Sequence, residues 1–104
     1  MPITEPPLSG TEWTPEATAF CEERSIMPLV KRAIQLAQRH FFPNSVSIYL
    51  SGDPEGEGYW VVVRADVPGT VKSVLDAYGR LKDEWISEVP SEQGYSVRFL
   101  YNIV

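Results

Sequence analysis

Residues Ser45–Thr70 read SVSIYLSGDPEGEGYWVVVRADVPGT, and this stretch decides the fold. From Ser45 to Ser51 the side chains alternate: Val46, Ile48 and Leu50 on one side, serines and Tyr49 on the other. Successive residues of a strand point to opposite faces, so the pattern is that of a half-buried strand. Tyr59–Val67 is a second strand. Tyr59, Val61, Val63, Ala65 and Val67 share its inner face; Trp60, Val62, Arg64 and Asp66 share the outer one. The glycine-rich link between them makes the pair a hairpin.

The rest of the chain is placed around this hairpin. Pro68-Gly69 turns the chain and Thr70 can cap a helix. Val71, Val74, Leu75, Tyr78, Leu81 and Trp85 recur at three or four residues, predicting an amphipathic helix over residues 71–88. Lys72, Asp76, Arg80 and Glu84 are expected on its solvent side. A third strand follows over residues 95–104, with Tyr95, Val97, Phe99, Tyr101 and Ile103 on one face.

Upstream, Thr14-Pro15-Glu16 is a helix start. Pro28 predicts two abutting helices or one kinked helix across residues 15–41, with Ser25 as the second cap. Ile26, Val30, Ala33, Ile34, Ala37 and Phe41 form its apolar stripe. Residues 1–13, rich in proline, read as an irregular arm that Trp13 pins to the core, and residues 14–104 as one α+β domain. The expected fold is a two-layer α/β sandwich in the order α-β-β-α-β, a three-stranded sheet with helices on one face. Pairing of the third strand with either the first or the second satisfies the pattern.

A chain of 104 residues makes one domain, and its 43 % apolar content fits a packed core. Nine basic against 14 acidic residues give a net charge of -5, which repels phosphate backbones and makes nucleic acid an unlikely partner. Cys21 is the only cysteine, so no internal disulfide or CxxC zinc pair forms, and a reducing, cytoplasmic setting is expected. The first residues lack the charge and apolar run of a signal peptide, and no apolar stretch has the length of a membrane span.

The acidic turn is the conspicuous chemical feature. Asp53, Glu55, Glu57 and Gly58 match the first, third, fifth and sixth places of an EF-hand loop. The twelfth place is Arg64 where a bidentate glutamate is required, and strands rather than helices flank it. A solvated turn is the simpler account; a metal-dependent or small-ligand enzyme site at residues 53–58 is the alternative. The glycines do not form GxGxxG and no helix follows to receive a phosphate. An α-β-β-α-β order with a Gly-Ser turn and strand aspartates resembles nucleotidyltransferases. Here the turn reads Ser51-Gly52, and Asp66 lacks the second carboxylate that a catalytic magnesium needs. Cys21 and His40 would lie about 28 Å apart on one straight helix, too far for a nucleophile and its base. No catalytic constellation emerges, and no cofactor is expected.

The outer sheet face is the stronger lead. With the helices on one side, Tyr49, Trp60, Val62, Arg64, Arg98 and Leu100 face away from them. Tryptophan, tyrosine and arginine are enriched in binding hot spots. A Tyr49–Trp60 cross-strand pair, or the N-terminal arm folded over the face, would account for these residues without a partner. RNA stacking on the sheet is disfavoured because YSVRFLYNI lacks the RRM spacing of glycine and aromatics. The expectation is a non-enzymatic protein-interaction module, a homodimer or an antitoxin- or immunity-like binder of a basic protein.

Overall fold

The computed structural model describes residues 11–52, 58–90 and 94–104. Its elements are β1 (Thr11–Trp13), α1 (Pro15–Arg24), α2 (Met27–Phe41), β2 (Ser45–Gly52), β3 (Tyr59–Val67), α3 (Val71–Glu88) and β4 (Val97–Ile103). Among the described residues this is an α+β fold with three helices and one four-stranded mixed sheet, ordered β1-β2-β3-β4.

The expected three-stranded sheet gains a strand from the supposed arm. Thr11–Trp13 pairs parallel to β2, with Thr11 opposite Val46 and Trp13 opposite Ile48. The Thr14 amide then donates to the Ile48 carbonyl at 3.0 Å. Three residues are too few to show an alternating pattern, so only the partner strand reveals this one. Trp13 packs partly buried against the core, as expected of it. Residues 1–10 lie outside the described residues.

The helical segment divides into α1 and α2. Thr14 Oγ1 accepts the Ala17 amide at 3.2 Å and starts α1. Ser25 ends it in the left-handed region, at φ 59°, its amide turned back to the last carbonyls. Ser25 therefore closes α1 rather than opening α2. The cap of α2 is Ile26, without a side-chain hydrogen bond, and Pro28 sits in the first turn, where its missing N–H leaves no bond unmade.

The β2–β3 hairpin forms as expected, antiparallel, with Val46 opposite Ala65 and Ile48 opposite Val63. β4 pairs parallel to β3, Val61 opposite Val97 through Val67 opposite Ile103, which settles the choice left open by the sequence pattern. α3 is the crossover between them. Its start carries a reciprocal cap: Thr70 Oγ1 accepts the Ser73 amide and Ser73 Oγ accepts the Thr70 amide, each at 3.1 Å.

One core joins all three helices to one sheet face. Ala17 and Cys21 of α1, Val30, Ala33, Ile34, Leu36, Ala37 and Phe41 of α2, and Val74, Ala77, Leu81 and Trp85 of α3 pack with the inner residues of β2, β3 and β4. Aromatic contacts tie α3 to the last strand: Trp85 meets Phe99 edge-on at 5.2 Å between ring centroids, and Tyr78 meets Tyr101 at 5.1 Å.

Four predicted inner residues are instead exposed: Tyr59, Val71, Leu75 and Tyr95. Tyr59 stands at the mouth of the hairpin. Tyr95 precedes β4, which starts only at Val97. On α3 the buried stripe is Val74, Ala77, Leu81 and Trp85, so Val71 and Leu75 fall to one side of it.

Candidate functional site

The sheet face opposite the helices is built in rungs. Glu12, Ser47, Arg64 and Leu100 form one rung across the strands; Tyr49, Val62 and Arg98 form the next. Trp60 lies opposite Ser51, one rung further toward the hairpin tip. Among the described residues no helix packs on this face, since the core gathers only inner residues.

Tyr49 and Trp60 are therefore diagonal neighbours and not a directly opposed pair. The partner of Trp60 is on β4: the Arg98 guanidinium carbon lies over its indole ring, 3.9 Å from the centroid. Val62 is enclosed although it points away from the helices, with 3 % of its surface exposed. Tyr49 and Trp60 are half-buried, while Arg64, Arg98 and Leu100 are exposed. The face thus has an enclosed Val62 beside a stacked aromatic and cation, which is a narrower patch than six open side chains would give.

At the other end of the face, Asp66 Oδ2 accepts the Ser45 hydroxyl at 3.0 Å. Its Oδ1 is buried without a hydrogen bond, and the Arg64 guanidinium is 3.5 Å away. Arg64 is thereby drawn partly toward β3's own carboxylate.

A second set of charges lies on the helical side. Glu84, expected on the solvent face of α3, turns to α2 instead. Its carboxylate meets Arg39 at 2.7 Å, His40 Nε2 at 2.8 Å and Arg32 at 3.4 Å. Arg32 also pairs with both oxygens of Glu88, at 2.8 and 2.7 Å. The hydrogen bond from Arg32 holds the Glu88 carboxyl below the usual carboxylate range, and Glu88 in turn raises the guanidinium of Arg32. These contacts join α2 to α3 and read as a clasp. The partner of His40 is the Glu84 side chain.

Cys21 is fully buried, and burial followed by the nearby Glu22 charge pushes its thiol up, so the neutral form persists. That is the opposite of what a nucleophilic cysteine requires. Asp53, Glu55 and Glu57 lie outside the described residues. Among the described residues no group of three or more His, Cys, Asp and Glu side chains is placed to hold a metal ion, and no helix is long and apolar enough to cross a membrane.

One further concavity flanks the free edge of the sheet. A cleft of about 800 Å³ lies between the C-terminal half of α3 and β4, with Trp85, Ile86 and Val89 on one wall and Val97, Phe99 and Leu100 on the other. No sequence pattern announced it, because it arises where a crossover helix overhangs an edge strand. Known family models, curated proteins and solved structures contain no match to this chain, so its own geometry carries the functional reading.

Proposed function

We propose that this protein is a small non-enzymatic module that binds another protein through the helix-free face of its sheet. Tyr49, Trp60, Val62, Arg64, Arg98 and Leu100 supply the contact set. The stacking of Arg98 on Trp60, beside the enclosed Val62 and away from every helix, is the observation that carries this reading. A pre-stacked tryptophan and arginine present a large, ordered surface at little entropic cost, as hot-spot residues do. The net charge of -5 attracts a basic protein at long range, while the local arginines fix the docked orientation. An inhibitor of a basic protein, of the antitoxin or immunity kind, has this charge and size. A reducing cytoplasm suits the lone, buried thiol of Cys21.

The test is affinity purification of tagged wild type beside Trp60→Glu from the native cells. Both proteins are first matched for helix content and melting temperature. Wild type is expected to retain a defined protein partner in stoichiometric amount, and the variant to lose it. A partner held equally by both variants would place the contact elsewhere; no partner with wild type would remove the proposal.

A further inference from the structure

We infer that the free edge of the sheet, formed by β4 and the adjoining flank of α3, is the docking surface for a second copy of this chain. The inference is separate from the partner-binding face, because Trp60 and Tyr49 take no part in it.

It starts from where the exposed apolar residues lie. Val71 is 63 % exposed, Leu75 49 %, Ile86 67 %, Tyr95 74 % and Val104 57 %. All five lie on α3 or at the ends of β4, while Phe42 and Tyr59, also exposed, lie elsewhere. Val71, Leu75, Tyr78, Lys82, Ile86 and Val89 are spaced at three or four residues, a second stripe beside the buried one. The first stripe binds the sheet, and Glu84 and Glu88 face α2. The second stripe is thus on the side away from α2, where Ile86 and Val89 wall the cleft beside β4. Helix and strand together border this open edge of the sheet.

The strand adds unpaired backbone. The Ser96 carbonyl accepts the Val61 amide and the Val104 amide donates to Val67, so the even-numbered groups of this segment turn toward β3. The N–H and C=O groups of Val97, Phe99, Tyr101 and Ile103 consequently face the open side. Arg98 is the only charged residue in β4, and the strand contains no proline. It lacks the usual devices that keep an edge from pairing.

A second copy fits this edge better than a short peptide. The exposed apolar residues of α3 are Val71, Leu75 and Ile86, with half-buried Tyr78 and Lys82 between them, along a helix of 18 residues and about 27 Å, and a partner that meets all three is another α3. A two-fold axis that pairs β4 antiparallel to its copy also runs the two α3 helices antiparallel. Lys72 then approaches Asp83 of the second copy, and Asp76 approaches Lys82 of the second copy. Among the described residues none of these four makes an ion pair within the chain. The centre of that arrangement falls at Tyr78–Gly79. A Cβ built on Gly79 meets nothing within 4 Å, so among the described residues no contact requires a glycine that weakens the helix. A close helix–helix approach does require it.

Sedimentation of the purified chain at about 100 μM tests this. Wild type is expected at twice the 11.7 kDa chain mass. Leu75→Glu/Ile86→Glu, altered only at exposed positions, is expected to sediment as a folded monomer, with affinity for itself weakened at least about 100-fold. Trp60→Glu is expected to remain dimeric. A wild-type monomer, or a dimer that survives Leu75→Glu/Ile86→Glu, overturns the proposal. A dimer broken by Trp60→Glu alone would instead place self-association on the helix-free face and overturn it equally.

Discussion

Replacing Trp60 with Leu and Arg98 with Met, singly and together, measures how firmly the helix-free face is ordered in solution. The guanidinium carbon lies 3.9 Å from the indole centroid, inside the ~6 Å over which a cation is attracted to a ring face. Arg98 is exposed, so water competes for its charge and the coupling belongs at the lower end, about 0.5–1 kcal/mol. Trp60→Leu carries a further loss of about 1–2 kcal/mol, because the indole covers apolar surface beside the enclosed Val62. Urea melts of the four proteins give the coupling as the departure from additivity. For a chain of about this size 1 kcal/mol moves Tm by about 4–8 °C, so thermal melts resolve the same quantity. A coupling below about 0.2 kcal/mol would mean that the stack is not populated and that the face is not preordered for binding. One above about 2 kcal/mol would mark a desolvated structural staple, and would refute the view of an exposed contact surface.

Three further outcomes follow from the packing. Glu84→Ala removes the centre of the α2–α3 clasp and should lower stability by about 1–2 kcal/mol in dilute buffer; in 1 M NaCl the difference should shrink, since these groups are partly solvated. The thiol of Cys21 is raised by burial, so above pH 9.0 the unfolded chain ionises first and stability falls as pH rises toward the folded value; the difference in urea stability between wild type and Cys21→Ala should shift in favour of the variant over that window, and a pH-independent difference would contradict the assignment. Gly79→Ala should stabilise the monomer at low concentration by about 0.5–1 kcal/mol. Gly52→Ala should destabilise it, because the new Cβ would come within 2.7 Å of the Tyr59 ring and 3.0 Å of the Gly58 carbonyl; equal effects of the two substitutions in thermal melts would contradict this packing.

Much of the fold was legible because local pattern and tertiary structure agree. The alternation of β2 and β3, the Thr70 cap and the Pro28 break each express a backbone requirement that the residues state locally. β1 was not legible, since Thr11–Trp13 is a strand only by virtue of pairing with β2. Helical spacing alone could not divide α3 into its two apolar stripes. Val71 and Leu75 share the period of the core residues, and only the position of α3 at the sheet edge leaves them outside. The membership of the helix-free face was legible, because β-strand parity assigns Trp60, Val62 and Arg98 to one side. Its internal arrangement was not: the stack forms between β3 and β4, and their pairing was undetermined until the register was known.

The central claim is that the helix-free face touches another protein. A photoreactive benzophenone amino acid at position 64, exposed on that face, can be compared in the native cells with the same group at position 31, exposed on α2. The account predicts a discrete crosslinked protein adduct from position 64 and none from position 31. The same adducts from both positions, or none from position 64, would contradict it.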